Sequence, residues 1–75
     1  MFKRKELAKA LNRRVAVNLI DDGSTLFVGR FAAFDEHTYV LEQCESIPAP
    51  GETAHPFPGR QYVDRVHAFL TVLPT

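Results

Sequence analysis

The stretch from Val15 to Cys44 constrains the fold more than any other part of the chain. It holds three β-type runs separated by turn chemistry. Val15, Val17 and Leu19 alternate with Ala16 and Asn18, the period-two pattern of a half-buried strand. Asp22-Gly23 follows, and glycine accepts the positive φ of a tight turn without a steric penalty. The second run is long, rich in Phe and Val, and broken by Gly29. A glycine inside a strand marks a sharp bend or a close backbone approach. A long strand bent at its middle can serve two halves of one small barrel.

The remaining elements fit around this meander. Residues 2–11 read as a helix, with Phe2, Leu7, Ala10 and Leu11 near one face and the lysines on the other. Asn12 suits a left-handed C-cap, and Arg13-Arg14 stand where cations favour the helix dipole. So short a helix is marginal alone, so it is expected to lie on the sheet as a lid over one barrel end, the alternative being a partner-binding amphipathic segment. Strands are expected over 13–20, 25–34, 38–45, 60–65 and 67–73, with turns at Asp21–Ser24 and at Asp35-Glu36-His37. Residues 46–59 are a variable loop carrying Pro48, Pro50, Gly51, Pro56, Pro58 and Gly59, because proline cannot donate to a strand ladder. Its His55-Pro56-Phe57-Pro58 run is either a recognition element or a loop with one apolar residue folded back. The expected fold class is all-β with an N-terminal helix, a strongly bent five-stranded antiparallel barrel of the small SH3 type, in one domain spanning 1–75. The expected core is Val17, Leu19, Val28, Phe31, Val40, Phe69 and Val72.

Composition sets outer limits on function. A domain of 75 residues buries only about 60% of its unfolded surface, so its core is marginal. Cys44 is the single cysteine and allows no disulfide; it reads as a small buried hydrophobe. With no disulfide and no metal pattern, oligomerisation is the remaining source of added stability. The absence of paired cysteines, of a signal peptide and of a membrane-length apolar run points to an intracellular, cytoplasmic setting. The formal net charge is zero, so nothing in bulk electrostatics calls for a polyanion or an anionic membrane. Lys3, Arg4, Lys5, Lys9, Arg13 and Arg14 nevertheless crowd the N-terminal end, either as a basic face for a polyanion or as a solvated helix surface.

No catalytic pattern emerges. His37, His55 and His67 lack ligand spacing, and no second cysteine completes a zinc site. Ser24 and Ser46 have no nucleophile elbow around them, and no glycine-rich phosphate loop is present. Asp35 and Glu36 are adjacent in a turn, where carboxylates diverge. The expectation is a non-enzymatic protein without cofactor or metal.

Val15-x-Val17-x-Leu19, Asp22-Gly23 and Gly29-Arg30-Phe31-Ala32-Ala33-Phe34-Asp35-Glu36-His37 together resemble the first motif of the Sm and Sm-like (Lsm) proteins. Val63-Asp64-Arg65-Val66-His67-Ala68-Phe69 is similar to the second motif, more weakly. The turn at Asp22-Gly23 is one residue longer than the usual pattern, and the segment after His37 one residue shorter. Thr38 or Tyr39 stands near the position of the family's asparagine, and Val66 replaces the glycine of its Arg-Gly pair. The resemblance implies a closed ring of roughly five to eight subunits, most often six or seven. It also implies a single-stranded RNA pocket at His37, Tyr39, Arg65 and Asp35, where His37 or Tyr39 stacks a base and Arg65 clamps the nucleotide. Without the asparagine amide, base discrimination is expected to be modest. The alternative is a protein-interaction or scaffolding module of the same fold whose RNA pocket is lost.

Overall fold

Asn12 turns the chain from helix into sheet. The structure, a computed structural model, describes residues 4–74, so Phe2 and Lys3 of the expected helix and basic cluster lie outside the described residues. The helix α1 spans Arg4–Ala10. Asn12 follows it in the left-handed region, with φ of 66°, a conformation that asparagine tolerates better than most side chains. Its N–H donates to the Phe31 carbonyl at 2.7 Å, and Phe31 N–H donates to the Arg13 carbonyl at 2.9 Å. These two bonds tie the helix exit to the sheet. Leu7 and Ala10 are buried, as a lid on the sheet requires.

Five strands follow: β1 (Arg14–Leu19), β2 (Thr25–Phe34), β3 (Thr38–Ser46), β4 (Gln61–Asp64) and β5 (Ala68–Val72). They form one antiparallel sheet in the order β4-β3-β2-β1-β5. The sheet is strongly bent but not closed, so β4 and β5 are its edges. The β1–β2 turn is stapled by Asp22, whose Oδ1 accepts the Ser24 N–H at 2.9 Å and the Ser24 hydroxyl at 2.7 Å. Gly23 supplies its positive φ of 74°. The bend in β2 and β3 coincides with register shifts between Val28 and Arg30 and between Phe31 and Ala33, the local extra residues that curve a strand. Gly29 sits at the first of them, against Cys44.

The core centres on Phe31, Leu7, Leu41, Leu70, Val15, Val17 and Cys44, all almost fully buried. Of the seven residues expected there, Val17 and Phe31 are buried, and Leu19, Val28, Val40 and Val72 are half-buried. Phe69 is a correction: it is exposed, and Leu70 takes its place. Register explains this, because Leu70 pairs with core-facing Val17 while Phe69 pairs with Asn18. In β3 the same one-residue alternation buries Tyr39 and Leu41 rather than Val40.

Asn18 is buried but fully engaged. Its Nδ2 donates to Thr71 Oγ1 at 2.9 Å, and its Oδ1 accepts from Thr25 Oγ1 at 2.8 Å, so one amide links β1, β2 and β5. The 47–60 segment is pinned as well. Phe57 packs edge-on against Phe27, with centroids 5.5 Å apart, and its N–H donates to the Cys44 carbonyl at 2.8 Å. The folded-back apolar residue expected of this loop is therefore Phe57. Among the described residues no helix is long and apolar enough to cross a membrane.

Candidate nucleic-acid interface

Two turns carry the residues singled out from the sequence. Asp35 shapes the first. Its Oδ1 accepts the backbone N–H groups of His37 and Thr38, each at 2.8 Å. An aspartate bonding its own backbone two residues on is the usual device for reversing a chain. The His37 N–H, then that of Thr38, holds the Asp35 carboxyl below its ordinary pKa; the His37 and Arg65 charges act in the same direction. The chain reversal projects the His37 side chain outward, where it is 86% exposed, with Nε2 3.9 Å from Glu36 Oε2.

The second turn joins β4 to β5. Asp64 Oδ1 accepts the Val66 N–H at 3.0 Å, which sets the bend that Arg65 occupies. Pairing of β3 with β4, Thr38 opposite Asp64, brings this turn beside the first. The Arg65 N–H donates to the His37 carbonyl at 2.8 Å. Its guanidinium donates through Nη1 to the Asp35 carbonyl. Its Cζ lies 5.4 Å from the centroid of the Tyr39 ring, within cation–π range. Arg65 is thus held at three points, at the His37 and Asp35 carbonyls and over the Tyr39 ring, rather than through the carboxylates of Asp35 or Asp64.

Tyr39 requires a correction. The ring expected to stack a base is only 3% exposed. It packs edge-on against Phe31 with centroids 5.9 Å apart, and its ring lies beneath the Arg65 guanidinium. The cause is register: Tyr39 pairs with Phe34 on β2, the strand that also presents Phe31 to the core.

Shallow depressions flank Arg65. One, of about 270 Å³, is lined by Phe34, Asp35, Glu36 and Arg65. The other, of about 230 Å³, is lined by Ile20, Glu36, His37, Asp64, Arg65 and Val66. Ile20 and Val66 are exposed apolar residues that the sequence reading did not assign to a site. No local sequence pattern singles out Ile20: it reaches this surface because β1 pairs with β5, and its N–H donates to the His67 carbonyl at 3.0 Å. Among the described residues no group of three or more His, Cys, Asp or Glu side chains could hold a metal ion. No family model, curated protein or solved structure matches the chain.

Proposed function

We propose that the chain is an Sm-like, ring-forming subunit that binds short single-stranded RNA where the His37 and Arg65 turns meet. The observation that carries this reading is the bond from the Arg65 N–H to the His37 carbonyl, beside an imidazole that is 86% exposed. An exposed ring and a restrained planar cation then stand side by side, flanked by depressions. Stacking on such a ring contributes about 1–3 kcal/mol per base, and the guanidinium can stack or fork onto an oxygen. Tyr39 holds Arg65 and Asp35 holds the turn; neither reads the base. The role is binding, not catalysis.

One such pocket is weak, and repetition around a ring strengthens it. Support for a ring comes from the free edges. β4 and β5 are opposite edges of one sheet, with Tyr62 and Phe69 exposed on them. Pairing β4 of one subunit with β5 of the next removes both edges in a head-to-tail contact that closes at a fixed number. The zero net charge predicts a shallower salt dependence than a strongly basic protein has, since each neutralised phosphate steepens it. The test is light scattering for the assembly mass, followed by titration with labelled oligo-U, oligo-A and oligo-C across a salt series. A monomer at high micromolar concentration contradicts the ring.

A second reading draws support from the surroundings of Arg65. Asp35, Glu36 and Asp64 place carboxylates around a surface that includes exposed Ile20 and Val66. An apolar centre with an acidic rim suits a basic, apolar peptide. A ring that binds no oligonucleotide even at low salt would remove the first reading and favour this one.

A further inference from the structure

A second cluster lies away from the Arg65 turn, where the 47–60 segment returns to β3. Arg30, Glu42, Gln43, Phe57, Gly59 and Arg60 line a depression of about 390 Å³ there. Small-ligand sites range from roughly 300 to 1,000 Å³. Glu42 stands between two guanidinium groups. Its Oε1 accepts from Arg30 Nη2, and its Oε2 accepts from Arg60 Nε at 3.1 Å. Arg30 also donates through Nη1 to Asn12 Oδ1 at 2.9 Å. Two cations thus share one carboxylate, and the cluster keeps a surplus positive charge. With both oxygens engaged, Glu42 acts as a strut that holds the arginines in place. Arg60 meets it through Nε, and its terminal NH₂ groups lie beyond that bond, with the Tyr62 hydroxyl as a neighbour.

The aromatic wall of this depression is fixed. Phe57 is anchored by its edge contact with Phe27 and by its bond to the Cys44 carbonyl. A Glu45–Pro56 bridge and the Ser46 N–H donating to the His55 carbonyl at 2.9 Å hold the adjoining backbone. A planar cation fork matches phosphate oxygens, and an aromatic side chain accepts the face of a base.

We propose that the Arg30–Arg60–Phe57 depression binds a nucleoside monophosphate, its phosphate on the two arginines and its base against Phe57. The site is separate from the His37–Arg65 surface and does not depend on it. The test is an amide chemical-shift titration with uridine monophosphate, uridine and inorganic phosphate as separate probes. The nucleotide is expected to give saturable millimolar shifts at Gln43, Phe57 and Gly59. The nucleoside and phosphate are each expected to bind at least about tenfold more weakly. Arg60→Gln, a change at an exposed side chain, is expected to weaken the nucleotide about tenfold through loss of a charged hydrogen-bond partner. Phe57→Leu should weaken it while keeping the loop anchored. The proposal is overturned if the shifts are confined to residues 35–37 and 64–66, or if no saturable shift occurs. It is equally overturned if phosphate alone binds as tightly as the nucleotide, or if Arg60→Gln binds like the unmodified protein.

Discussion

Gly29 on β2 lies so close to Cys44 on β3 that a Cβ added to it would stand 2.5 Å from the Cys44 Sγ. The same Cβ would also meet the Glu42 carbonyl at 3.1 Å and the Cys44 Cα at 3.2 Å. The glycine lets the two strands approach at the bend, and the buried thiol fills the space that a side chain there would need. Burial pushes the Cys44 thiol pKa up, as suits a packing residue rather than a nucleophile.

Gly29→Ala is therefore expected to destabilise the domain by about 1–3 kcal/mol through overpacking. Cys44→Ala removes the nearest clashing atom, so the double variant should recover part of the loss. Urea midpoints of the single and double variants measure this coupling. Additive effects would mean that the two residues do not meet.

Phe31 and Phe69 should behave oppositely. Phe31 is fully buried and stacks on Phe34 with centroids 5.8 Å apart. Phe31→Ala is expected to cost about 3–5 kcal/mol, enough to unfold a domain of this size. Phe69 is 38% exposed on edge strand β5. Phe69→Ser should change folding by less than about 1 kcal/mol and instead lower the assembly mass. Melting curves and light scattering separate the two effects; a mass unchanged by Phe69→Ser argues against assembly through β5.

Much of the fold was legible in the sequence because turns and strand alternation are local. Asp22-Gly23, the limits of β2 and the close approach at Gly29 all come from such signals. Facing was harder. Tyr39-Val40-Leu41 and Ala68-Phe69-Leu70 are apolar at every position, so alternation alone cannot choose the buried face. Pairing with Phe34, Phe31 and Val17 decides it. The candidate site was less legible still. His37 and Arg65 were linked by resemblance, whereas the contact between them is a product of β3–β4 pairing. That Arg30 and Arg60 share Glu42 depends on how the 47–60 segment folds back, and no local pattern announces it.

Acid stability follows from the turn aspartates. The Asp35 carboxylate accepts the His37 and Thr38 N–H groups, and that of Asp22 accepts from Ser24, so both pKa values are lowered in the folded state. A lowered folded pKa means stability that is present above the unfolded value of about 4 and lost as pH falls through the folded one. Melting temperature should accordingly drop below about pH 4. Asp35→Asn should narrow the difference between neutral and acid conditions; an unchanged acid drop would remove Asp35 from the account.

Tyr39→Leu keeps an apolar side chain in the core but removes the ring beneath Arg65. The cation–π contribution lost is about 0.5–1 kcal/mol for a cation that water still reaches. The domain should stay folded while oligo-U affinity falls, because Arg65 loses its platform. Circular dichroism with a parallel binding titration checks both, and unchanged affinity would show that Tyr39 does not position Arg65.

Fluorescence anisotropy of labelled hexauridylate, with the assembly mass verified for each protein, tests the His37–Arg65 surface most directly. The unmodified protein is expected to bind at low salt, and Arg65→Ala and His37→Ala are each expected to lose about tenfold or more in affinity with the assembly intact. Binding undiminished in both variants, or no binding by the unmodified assembly, would contradict the assignment of RNA to this surface.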